Sequence, residues 1–127
     1  MNISELLRWQ YSGYEKFHRS RANLLIHIFA VPMVLISNVA LIMGFFRHRW
    51  LSVAINLALI AIFVALQSLG HRREAHPPEP FTGAKNAMTR LFLEQWITFP
   101  RFVFSGGWWR GLRRSQDTPT AETKVRS

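Results

Sequence analysis

Four of the five histidines fall in two short stretches, His18 and His27 in one, His71 and His76 in the other. Asn23 lies between the first pair and Glu74 between the second. Neutral imidazole is the commonest metal ligand among side chains. Histidines and a carboxylate around open positions suit non-haem Fe(II), and zinc accepts a similar set. Spacing does not separate the two ions. His18, Asn23, His27, His71, Glu74 and His76 are therefore candidates for one metal centre. With no cysteine in the chain, a thiolate site and a disulfide are both excluded. Two other classes stay open. One is a haem held between two histidines of facing helices. The other is a non-catalytic membrane protein for lipid binding or complex assembly, whose histidine tips simply rest at the depth of the headgroups.

Histidines so far apart in sequence meet only if the chain between them folds back. Two apolar runs, about 24–46 and 50–69, are separated by Arg47, His48 and Arg49 alone. Each is about 20 residues long, the length a helix needs to cross a hydrocarbon core of ~30 Å. So short a turn makes the two spans antiparallel and returns His71 to the face where His27 begins. His48 belongs to the opposite face, as a solvated loop residue, and Trp50 is an interfacial anchor. His18 and His27 are nine apart. On one straight helix they would point in opposite directions, so the spacing predicts a break over 19–23, with Ser20 and Asn23 as candidate caps. Pro32 lies inside the first span, where it either tilts the His27 end or eases packing. Ser37, Asn38 and Asn56 are expected to serve as hydrogen-bonding glue between the spans.

Outside the spans, residues 2–18 read as an amphipathic helix capped by Asn2 and Glu5. Residues 86–105 read as a second one, kinked or ended at Pro100, with Arg90, Glu94, Thr98, Arg101 and Ser105 along its polar side. Trp108 and Trp109 form an aromatic belt beside Arg110, Arg113 and Arg114. The expected architecture is therefore all-α: an antiparallel transmembrane hairpin plus two interfacial helices in one domain over 1–114, followed by a disordered polar tail over 115–127. The net charge of +9 flanks the apolar spans. Anionic headgroups are thus the expected partners, and nucleic acid is not. Basic residues concentrate on the side of the termini, which the positive-inside rule puts in the cytoplasm. The opening MNISELLRWQ lacks the features of a secretory signal.

The stretch from Tyr14 to Pro32 contains His18, Asn23 and His27 in an H-x4-N-x3-H arrangement, followed by small residues and the proline. It resembles the first block of a family of small membrane proteins, long carried as a domain of unknown function. The characterised fungal member is an endoplasmic-reticulum 2-hydroxy fatty acid dioxygenase. Gly70-His71, then Glu74 and a downstream proline, is similar to the family's second block. There the glutamate usually follows the histidine by four positions, whereas Glu74 follows by three. The likeness covers about residues 10–82. It implies an integral protein of a bacterial inner membrane or the endoplasmic reticulum, with Fe(2+) as cofactor. It further implies 2-hydroxy long-chain fatty acids and O2 as substrates, and an acid one carbon shorter as product. On that expectation His18, His27 and His71 hold the metal. Asn23 orients His27 or His18 from the second rank, Glu74 and His76 are further candidate ligands, and Arg72 or Arg73 pairs with the substrate carboxylate.

Overall fold

The computed structural model describes residues 2–117. All regular structure among them is helical: α1 (Ile3–Ser12), α2 (Tyr14–Phe17), α3 (Arg21–Phe46), α4 (Trp50–His71), α5 (Ala84–Leu93), a π-helical turn (Glu94–Thr98), α6 (Phe99–Phe104) and α7 (Gly107–Asp117). The expected all-α class is the observed one. The tail boundary differs, because α7 continues through 115–117. The rest of the expected tail, 118–127, lies outside the described residues.

The first amphipathic segment is two helices. Asn2 caps α1 by accepting from the Glu5 amide at 2.8 Å, and its own amide group donates to the Glu5 carboxylate. The helix stops at Gly13, and a single further turn, α2, carries Tyr14 to the expected break. Ser20 then caps α3, accepting from the Asn23 amide. Asn23 itself is buried in the first turn of α3 and is no cap.

α3 and α4 form the antiparallel hairpin, closed by residues 47–49. His48 is exposed at the turn, with φ of 57°, and stacks on Trp50. Along α3 the buried residues Asn23, His27, Ala30, Val34, Ser37 and Gly44 recur at steps of three, four or seven. Along α4, Asn56, Gln67 and Gly70 are buried. Such spacing makes a narrow seam between two long helices. The amides of Asn38 and Asn56 do not bridge that seam: they donate to the carbonyls of Val34 and Ser52 in their own helices. α3 runs through Pro32 without interruption.

Outside the seam the two helices show apolar side chains. Phe29, Ile36, Val39, Ile42, Leu51, Ile55, Leu57 and Ile62 are all exposed. Burying one such side chain is worth about 1.5–3 kcal/mol. Eight of them half in water would forgo roughly 6–12 kcal/mol, which rivals the entire stability of a domain, about 5–15 kcal/mol. A core helix of a soluble protein does not face outward in this way. Both helices are long and apolar enough to cross a membrane, and lipid is the environment their surface fits.

At the far end of the hairpin, Gly70 lets α4 approach α3. A Cβ there would stand 2.3 Å from the Asn23 side-chain oxygen and 3.4 Å from the Asn23 Cα. Gly70→Ala is therefore expected to force the two helix ends apart at a cost of about 1–3 kcal/mol. Gly83→Ala, where a Cβ meets nothing within 4 Å, is the control. Thermal unfolding in detergent should show a lower midpoint for the first variant only.

Candidate metal centre

Four side chains from three parts of the chain meet at this end of the hairpin: His18, His27, His71 and Glu94. One ligand atom from each lies within 4.8 Å of the others. His18 terminates α2, His27 sits two turns into α3, His71 is the last residue of α4, and Glu94 opens the π-helical turn. The three imidazoles stand edge to face, with centroids 4.7–5.0 Å apart.

Backbone carbonyls fix how two of the rings point. Nδ1 of His18 donates to the Tyr14 carbonyl at 2.8 Å, and Nδ1 of His27 donates to the Asn23 carbonyl at 3.0 Å. A carbonyl only accepts, so both rings carry the proton on Nδ1 and present a bare Nε2. Both Nε2 atoms are buried with no hydrogen-bond partner, and so is Nδ1 of His71. The two Nε2 atoms face the same oxygen, Oε2 of Glu94, at 3.5 and 3.6 Å. A charge-assisted hydrogen bond would draw such pairs to about 2.7–2.9 Å. Two atoms bonded to one ion at about 2.1 Å each stand roughly 3.0–3.5 Å apart. The observed separations are longer than a charge-assisted hydrogen bond, and the four side chains could hold a metal ion.

Burial is the main reason His18 is pushed below an ordinary imidazole, which favours the neutral ring.

The sequence-predicted residues divide. His18, His27 and His71 come together as expected. Glu74 does not join them. Its carboxylate accepts from the backbone amides of Arg19 and Ser20 at 2.9 and 3.0 Å and from the Asn23 side chain at 2.7 Å. It therefore ties the end of α4 to the amides ahead of α3. His76 is exposed beyond α4 and outside the cluster. Asn23 supports His27 through its backbone carbonyl, and its side chain serves Glu74.

The carboxylate in the cluster is Glu94, which an unbroken helical repeat assigns to a polar surface with Thr98. Part of that side in fact faces inward: Thr98 and the neighbouring Gln95 are buried, whereas Arg101 and Ser105 are exposed. One signal was available. Glu94 is the sole acidic residue between Glu79 and Asp117, and a lone carboxylate in an apolar, membrane-bound segment is costly unless it is used. Pro100 is the second clue. It cannot donate to the carbonyl four residues back, and the widened turn lies immediately before its helix. The turn is pinned from two sides. Gln95 and Gln67 of α4 exchange both amide hydrogen bonds, at 2.8 and 3.0 Å, and Thr98 donates to Gln10 of α1 at 2.6 Å.

A cavity of about 540 Å³ ends on His18, His71 and Glu94. Its walls are mostly apolar, with Trp9, Phe17, Val64, Phe81 and Leu91 among them, and Lys16 and Arg72 also line it. Arg73 does not. Arg90 secures the extended 77–81 segment along one wall. Its guanidinium lies over the rings of Trp9 and Phe81 and donates to the carbonyls of Glu79 and Pro80. Compared with known proteins, the chain matches no family model, no curated protein and no solved structure.

The amide pair provides a test of how the π turn is held. Gln67→Leu or Gln95→Leu alone strands a buried partner and should cost about 1–3 kcal/mol. The double substitution should be markedly less costly than the two added together, as read by denaturant unfolding in detergent micelles.

Proposed function

We propose that the protein is a membrane-embedded, iron(II)-dependent dioxygenase that shortens 2-hydroxy long-chain fatty acids by one carbon. The observation that carries the metal reading is the convergence of buried, unpartnered ring nitrogens of His18, His27 and His71 with the Glu94 carboxylate. Three imidazoles and one carboxylate are a donor set that fits Fe(II) and also zinc. The resemblance of the His18–His27 and Gly70–Glu74 blocks to the alpha-oxidation family supports iron. Glu94 takes the carboxylate place in this reading, and Glu74 is a structural brace.

The cavity supports the substrate class. Its apolar walls suit an acyl chain, and His18, His71 and Glu94 of the cluster are among its lining. Arg72 lines it and is the arginine we assign to the substrate carboxylate, in preference to Arg73. An ion held by these residues would supply Lewis acidity toward the 2-hydroxy carboxylate and redox chemistry toward O2. The chain's own residues do the remainder. His18 and His27 are held in one tautomer, the apolar walls exclude water, and Arg72 sets which end of the substrate enters first. A 2-hydroxy acid and O2 balance against the shortened acid, carbon dioxide and water without an added reductant. The placement we propose has the spans in a bacterial inner membrane or the endoplasmic reticulum, with both termini cytoplasmic and basic flanks against anionic headgroups.

Detergent-purified protein loaded with iron should retain about one ion per chain by elemental analysis. His27→Ala and Glu94→Ala should each lose it, and His76→Ala should keep it. With O2 and a 2-hydroxy acyl substrate, the loaded protein should release the acid one carbon shorter, and Arg72→Ala should raise KM roughly tenfold or more, as for loss of a charge-assisted contact. Failure to retain any transition metal would leave a lipid-binding protein and end the enzymatic reading.

A further inference from the structure

We infer that Tyr14 is the residue that sets how Glu94 presents its carboxylate, holding it as a one-oxygen ligand by donating the phenol O–H to Oε2. This rests on the metal reading above and adds a residue outside the ligand set. Tyr14 is almost wholly buried. Its O–H lies 2.8 Å from Glu94 Oε2, the same oxygen that both histidine Nε2 atoms face. Its ring stacks on His18 with centroids 3.7 Å apart and planes 9° from parallel. Its carbonyl accepts the His18 Nδ1 proton. One side chain and one carbonyl thus orient two candidate ligands that lie 76 residues apart in sequence.

The chemistry follows from counting lone pairs. A carboxylate oxygen has two, and the phenol occupies one of them on Oε2. The other remains for an ion. The bond also draws electron density from that oxygen and restrains the carboxylate from swinging to offer both oxygens at once. Partners that hold a metal-bound carboxylate in this way commonly alter metal affinity by about 10–100-fold. A carboxylate restricted to one oxygen leaves more of the coordination sphere for incoming oxygen ligands. The local chain serves this arrangement. Gly13 ends α1, so Tyr14 and His18 share the separate turn α2, four residues apart on one face. The phenol can then reach the π turn while the imidazole faces the cluster.

Tyr14→Phe keeps the stacked ring and removes only the O–H. We choose Co(II) as the probe because its visible spectrum reports ligand number and type. The full-length protein in detergent is titrated with Co(II), alongside Tyr14→Phe and the control Tyr11→Phe, whose phenol donates to Ser105 away from the cluster. Tyr14→Phe is expected to bind Co(II) about 10–100-fold more weakly and to change the visible bands, with helical circular dichroism and thermal midpoint close to those of the parent. Tyr11→Phe should leave affinity and spectrum unaltered. Equal affinity and an identical spectrum in Tyr14→Phe would overturn the role of Tyr14 and leave the metal centre standing. No Co(II) binding by the unsubstituted protein would overturn both.

Discussion

Two buried imidazole nitrogens, Nε2 of His18 and of His27, face a buried carboxylate oxygen at one end of the hairpin. Both nitrogens are acceptors once the carbonyls of Tyr14 and Asn23 have claimed the Nδ1 protons. In water each would find a donor. Inside the protein, where acceptors left unpaired cost about 1–3 kcal/mol apiece and more when charged, their assembly opposes folding. Much of the surrounding structure resists that opposition. Glu74 holds the head of α3, Gly70 brings α4 close to it, and the Gln67–Gln95 amides dock the π turn. Trp108 of α7 adds a bond to the Leu24 carbonyl at 2.8 Å, one turn before His27.

The segment that bears Glu94 divides its polar residues. Gln95 and Thr98 are buried against amide partners, while Arg101 and Ser105 stay exposed. The π turn lets the segment meet two demands at once. It places Glu94 toward the histidines and still returns Phe99 and Phe102 to the core beside Tyr14 and Leu24. An ordinary repeat through the same residues would rotate one set away from its target.

Much of the fold was legible in the amino-acid sequence because helix length and hydropathy follow local rules. The hairpin, the cap at Asn2, the break near Ser20 and the meeting of His18, His27 and His71 all come from spacing alone. The carboxylate was not legible by the same route. Glu74 stands three residues from His71, in the position local reasoning favours, whereas Glu94 comes from a segment whose register is reset by a widened turn. Periodicity also misplaced Thr98, though not Arg101 or Ser105, since a polar stripe reads the same whether water or buried amides receive it. Likewise Asn38 and Asn56 satisfy their own helices. A composition count cannot tell an asparagine that bonds back one turn from one that bonds across.

The order in which the polypeptide leaves the ribosome matters for a site so distributed. All three imidazoles of the cluster lie within the first 71 residues. Its anionic member emerges later, on a segment docked by Gln95 against Gln67 and by Thr98 against Gln10. The one carboxylate of the cluster is thus supplied by the last third of the protein to be made.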